Sequence, residues 1–160
     1  MNIIYSSQYK DIIRPAIFLA GCSPRDDQIL TWRKEVINIL GRTGFTGSII
    51  SPQPELNQWS DYNSVVEWED EYLKIADLIV FWIPRSMKNQ IYGLTSNVEF
   101  GMYLNSGKIL YGRPPDSEHN CYLDYWYKRV YNLKPVDNLE DLVQESLNFL
   151  SQIKNLSNPK

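Results

Sequence analysis

The sequence predicts an α/β domain: a mostly parallel sheet of four to five strands, layered between helices. Three observations carry that expectation. From residue 16 onward, short apolar runs alternate with segments of helical periodicity, which is the pattern of βαβ units. The runs are continuously apolar instead of alternating, as strands covered on both faces are. A length of 160 residues suits one domain with a substantial core.

The elements follow in order. Met1 to Arg14 is of mixed polarity and reads as an N-terminal arm over residues 1–15, with a short strand available at Ile3-Ile4-Tyr5; the domain proper is expected over 16–155. Ala16-Ile17-Phe18-Leu19-Ala20-Gly21 is the first buried strand. Cys22 to Asp27 turns the chain and then caps a helix. Ile29, Trp32, Val36, Ile37 and Leu40 give that helix its inward spacing, with Gly41 as the expected stop. Ser48 to Ser51 is a second strand, halted by Pro52 and Pro54. Asp61 to Asp77 reads as a helix, Leu78 to Ile83 as a strand, Thr95 to Ser106 as a helix closed by Gly107, and Lys108 to Tyr111 as a strand. Tyr122–Tyr131 and Leu139–Ile153 complete the helices, the last with Leu142, Val143, Leu147 and Leu150 on one face. For a fifth strand only Val130 to Val136 offers itself.

Composition narrows the function. Hydrophobic content of 43% and aromatic content of 13% are those of a folded globular chain. A formal charge of −3, with no Lys/Arg cluster, gives no electrostatic case for a nucleic-acid polymer. No run approaches the ~18 apolar residues of a membrane span, and Met1 to Arg14 lacks the pattern of a secretory leader. Cys22 and Cys121 stand far apart in no metal-ligand spacing. The expectation is a cytoplasmic chain with free thiols and neither metal nor cofactor.

In open parallel sheets the ligand sits beyond the carboxyl ends of the strands, where the strand order reverses. That gathers Gly21 to Asp26, Pro84 to Thr95 and Gly112 to Pro115 around one crevice. Trp59, in the polar loop from Gln53 to Ser60, reads first as a packing plug, with a surface for a stacked base as the other reading. Two carboxyl groups have chemical potential. Ser96-Asn97-Val98-Glu99 fits a capping box; alternatively, Glu99 in a first helical turn lies in positive potential and stays ionised as a nucleophile. Glu69 lies four residues after Val65 and four before Leu73, on the apolar face formed with Trp68 and Tyr72, whereas Glu67, Asp70, Glu71 and Lys74 form a solvated stripe. Burial would raise its pKa and fit it for general acid work; the plainer reading has it reach water at the rim. One ionised carboxylate and one protonated carboxyl is the division of labour of glycoside cleavage.

The ordered set Ile17-Phe18-Leu19-Ala20-Gly21, Val66-Glu67-Trp68-Glu69, Ala76-Asp77 leading to Ile83-Pro84-Arg85, Gly93 to Gly101, and Ser106-Gly107-Lys108 with Tyr111-Gly112-Arg113-Pro114-Pro115 resembles the nucleoside 2-deoxyribosyltransferase-like family over about residues 16–115. The resemblance is to its less-characterised branch. It implies a flavodoxin-like or Rossmann-like fold and metal-free cleavage or transfer at the N-glycosidic bond of a (deoxy)nucleoside or nucleotide. The family nucleophile, in a Glu-x-Gly setting, falls on Glu99; its acid, eight residues before the acidic residue preceding the third strand, falls on Glu69. Family transferases carry on the first strand a Tyr that orients the nucleophile, and Phe18 stands nearest to that position. Hydrolase relatives hold a 5′-phosphate with Ser and Arg after the first strand, which Ser23 and Arg25 match, though Ser23-Pro24-Arg25 is equally a plain turn. Gly21, Thr95, Asn97 and Arg113 complete the substrate-binding set, with capping the other reading for Thr95 and Asn97, and pairing with Asp116 for Arg113. Asp77 is expected to be structural, His119 a surface residue and Cys22 packing.

Two other classes compete. A silent nucleotide-binding or sensing module on the same fold is kept in play by Phe18; an FMN carrier is disfavoured because no Ser/Thr-rich phosphate loop follows the first strand. A homo-oligomer is expected, because family active sites are often completed by a neighbour and the segment Cys121 to Tyr127 is rich in aromatics.

Overall fold

Alternate residues of the inner strands face opposite sides of the sheet, and different helices cover the two sides. The computed structural model describes residues 1–23, 31–55 and 60–157. The chain runs β1 (Asn2–Tyr5), β2 (Ala16–Gly21), α1 (Trp32–Arg42), β3 (Ser48–Ser51), α2 (Tyr62–Ile75), β4 (Leu78–Trp82), α3 (Leu94–Tyr103), β5 (Ile109–Gly112), α4 (Cys121–Tyr131) and α5 (Leu139–Ser157). The sheet has five strands in the order β1-β3-β2-β4-β5, all parallel. Phe18, Ala20, Ile79, Phe81 and Tyr111 face α2, α3 and α4; Ile17, Leu19, Leu78, Val80 and Leu110 face α1 and α5. This is the three-layer α/β fold of the flavodoxin-like and Rossmann-like class.

Three sequence expectations change. The fifth strand comes from the N-terminal segment, where Ile3 and Ile4 pair with Ile49 and Ile50. Val130 and Tyr131 instead finish α4, and Val136 makes only an isolated bridge to Gly112. Gly41 lies inside α1, and the chain reverses at Gly44, with φ of 76°. α3 begins at Leu94 behind Gly93, so Ser96 is its third residue and makes no capping bond.

The sheet order reverses direction between β2 and β4, since β3 lies to one side of β2 and β4 to the other. There the two strand ends approach closely. Gly21 has φ of 126°, and a Cβ on it would stand 2.0 Å from the Trp82 carbonyl oxygen. Only glycine fits such an approach. The opposite end is closed by Asp77, whose Oδ2 accepts the Ala16 N–H at 2.7 Å while Oδ1 pairs with Arg14. The structural role expected of Asp77 is the one observed.

Candidate functional site

At the carboxyl ends of β2 and β4 lies a cleft of about 560 Å³. Three helices bring charge to it. α2 is N-capped by Asp61, whose Oδ1 accepts the Ser64 N–H at 3.1 Å. Val65, Trp68, Tyr72 and Leu73 are buried, and Trp68 packs on Phe18 at 6.3 Å between ring centroids. Glu69, next to Trp68 and half-buried, emerges where this apolar face opens into the cleft.

α3 starts at Gly93, which has a left-handed backbone; a Cβ there would stand 2.0 Å from Cys22 Sγ. Helix α3 is thereby pressed against the end of β2, and Glu99, in its second turn, faces the cleft with Thr95 and Ser96. The capping-box reading of Glu99 fails, because Gly93 occupies the cap position. The field that acts on Glu99 has another source.

That source is Arg33 of α1, a residue sequence reasoning passed over. Its side chain is buried, with 2% exposure. Nε donates to the Leu19 carbonyl at 2.9 Å, Nη2 to the Gly21 carbonyl at 2.7 Å and Nη1 to Ser23 Oγ at 2.5 Å. Burial lowers its pKa to about 10, opposed by the charges of Glu99, Cys22 and Glu69. It is therefore a cation at neutral pH. A signal was available: Arg33 stands one residue after Trp32 and shares helical spacing with Ile37 and Leu40, the same misplaced charge on an apolar stripe that singled out Glu69.

The two carboxyls respond differently to this setting. Burial, then the charge of Glu99, pushes Glu69 up to about 7, with Arg33 opposing. Glu99 is also raised by burial and drawn back by Arg33. Burial also raises the Cys22 thiol. A protonated thiol is a poor nucleophile, in keeping with the packing role expected of it.

Of the remaining sequence candidates, Gly21, Ser23 and Thr95 line the cleft. Arg25, like Trp59, lies outside the described residues. Asn97 is on the other flank of α3, where its Oδ1 accepts from Arg85 Nη2 at 2.5 Å. Arg113 is not among the residues that line the cleft: it is paired with Asp124, not Asp116, donating from Nε at 3.1 Å and Nη2 at 2.7 Å. His119 is exposed, as expected. Tyr62 and Tyr92, neither singled out from sequence, add aromatic wall. Among the described residues, no helix is long and apolar enough to cross a membrane.

Fold and cleft together define an α/β protein with two carboxyl groups and a buried cation at the switch point of a parallel sheet. Residues 14–117 match the family model described as nucleoside 2-deoxyribosyltransferase like, and the chain belongs to that family. The matched span holds every strand but β1, together with Arg33, Glu69 and Glu99. No curated protein matches the chain.

Proposed function

We propose that the protein cleaves, or transfers across, the N-glycosidic bond of a (deoxy)nucleoside or nucleotide, with Glu99 as nucleophile and Glu69 as general acid. The observation that carries this reading is the pair itself: two carboxyls in one cleft, one displaced to about 7 and the other held beside a buried guanidinium. Family membership supplies the substrate class.

Protonated Glu69 gives its proton to the departing base as the glycosidic C–N bond breaks, and the Glu99 carboxylate bonds to the anomeric carbon. The base leaves neutral and a glycosyl ester remains. A water or an acceptor base then attacks the same carbon, Glu69 takes a proton back, and the Glu99 ester is released as carboxylate. Arg33 acts through its charge, since three of its nitrogens are already bonded to Leu19, Gly21 and Ser23. It favours the ionised form of Glu99 and replaces the Tyr that relatives place on the first strand. Phe18 is fully buried against Trp68 and does not line the cleft. Ser23 and Thr95, which line the cleft, are the candidates for the sugar, with Arg25 the candidate for a 5′-phosphate.

The test is incubation with a panel of nucleosides and nucleoside monophosphates, with and without an acceptor base, scoring released base. Release that is lost in Glu99→Gln supports the reading. Binding of a nucleotide without release by any member of the panel would favour a silent sensing module. The proposal includes a homo-oligomer, supported by Tyr122 and Tyr125, which are 70% and 55% exposed on α4. Light scattering that found a monomer at high concentration would contradict it.

A further inference from the structure

Residues 7–10 of the N-terminal segment lie outside the matched span of 14–117, yet they are bound to the helix that carries Glu69. Both flanks of this stretch are fixed to the sheet. Before it, β1 pairs with β3; after it, the Ile13 N–H donates to Ser48 Oγ at 2.8 Å and the Ser48 N–H to the Ile13 carbonyl at 2.8 Å. Between the flanks, the Gln8 N–H donates to the Tyr5 carbonyl at 3.0 Å, closing a turn in which Ser7 holds φ of 65°. The Gln8 carbonyl then meets α2. It accepts the Trp68 indole N–H at 2.9 Å and the Tyr72 hydroxyl at 3.3 Å, and the Lys10 N–H donates to that same hydroxyl at 3.3 Å. Trp68 and Tyr72 are buried, with ring centroids 4.5 Å apart.

Glu69 stands one residue after Trp68 and three before Tyr72. An indole N–H or a hydroxyl left unpaired in a core is costly, so displacing Gln8 would force α2 to turn or admit water beside Glu69. Either change relieves the desolvation that favours the protonated carboxyl. Glu99 of α3 and Arg33 of α1 are the charged groups that act on that carboxyl, and substitutions in the arm leave both in place. We propose that residues 7–10 clamp α2 and so hold Glu69 in the cleft, with Gln8, Trp68 and Tyr72 as positioning residues. The effect on turnover rests on Glu69 being the general acid; the effect on its titration does not.

The test displaces the arm without touching the core. Ser7→Pro fixes φ near about −65°, which the turn into Gln8 cannot use. Ser7→Gly accepts the native φ and loses only an exposed bond to Ser60 Oγ. Tyr72→Phe keeps the ring and removes one of the two ties to Gln8, and serves if Ser7→Pro fails to fold. Titration of the Glu69 carboxyl by NMR should find the midpoint lowered by about one unit in Ser7→Pro, less in Tyr72→Phe, and close to the parent in Ser7→Gly. Base release from ordinary nucleosides should fall about tenfold in Ser7→Pro, with a nitrophenyl glycoside nearly unaffected. A midpoint unmoved in both Ser7→Pro and Tyr72→Phe, even with a lower melting temperature, would make the arm structural only and overturn the proposal. So would a shift in Ser7→Gly as large as that in Ser7→Pro. A lowered midpoint with unchanged release would uphold the clamp and remove Glu69 from the mechanism instead.

Discussion

At the amino ends of β2 and β4 the charges are closed off by partners, whereas at the carboxyl ends they are left open. Asp77 accepts the Ala16 N–H and pairs with Arg14. Nearby, Lys108 Nζ donates to the carbonyls of Leu73, Lys74 and Ala76 at 2.8, 2.8 and 2.9 Å, closing the last turn of α2. Across the sheet, Glu69 and Glu99 accept no hydrogen bond from the described residues, and Arg33 directs its N–H groups to two carbonyls and a hydroxyl. The same kinds of side chain, eight residues apart on one helix and its exit, thus do different work. A satisfied charge fixes a backbone, and an unsatisfied one keeps a shifted pKa available for chemistry.

The contrast breaks most sharply at Glu99. Glu99→Gln removes the nucleophile but no cap and no hydrogen bond, so base release should fall by ~10³-fold or more, with a melting temperature close to that of the parent. Full activity in a well-folded variant would remove Glu99 from the mechanism. Glu69→Gln should slow release from ordinary nucleosides by ~10²–10⁴-fold. A substrate whose leaving group needs no proton, such as a nitrophenyl glycoside, should suffer much less; equal slowing on both would speak against an acid role.

Arg33 sharpens the comparison through pH. It lowers the pKa of both Glu69 and Glu99, so Arg33→Met should move both limbs of the kcat/KM profile to higher pH. A profile that kept its position while activity fell would make Arg33 a packing residue only.

The smallest effects are in stability, and their signs differ between the two ends. Asp77→Asn weakens an ion pair and a charged hydrogen bond and should cost about 1–3 kcal/mol with catalysis retained. Glu69→Gln should do the reverse at neutral pH. The native state holds the Glu69 proton up to about 7, whereas the unfolded chain releases it near the ordinary value of 4.5. Native stability therefore declines as pH rises between those values, by up to on the order of 3 kcal/mol, and the full deficit persists above the native pKa. Urea unfolding of parent and variant at pH 4 and pH 8 should find a gap only at the higher pH.

Much of the fold was legible because its signals are local. Continuous apolar runs marked β2 to β5, and the helical stripes of α2 and α5 gave their inward faces. β1 was harder, since Ile3-Ile4-Tyr5 is short and its place is decided by pairing with β3, more than 40 residues away. The capping-box reading at Ser96 failed for the converse reason. A locally favourable motif was overridden by the contact of Gly93 with Cys22, which fixes where α3 begins. Glu69 could be found because a carboxyl on an apolar stripe is anomalous within its own helix. Asn97 and Arg113 were drawn toward the cleft by sequence proximity to strand ends; their partners, Arg85 and Asp124, are separated from them by 12 and 11 residues and appear only in three dimensions.

The central claim is that the open end of the sheet holds a carboxyl protonated near neutrality. Its most direct measurement is the titration of the Glu69 side-chain carboxyl carbon by NMR, assigned through Glu69→Gln. The account predicts a midpoint of about 7, moving down when Glu99→Gln removes the neighbouring charge. A midpoint at the ~4.3 of an exposed Glu, unmoved by Glu99→Gln, would contradict it.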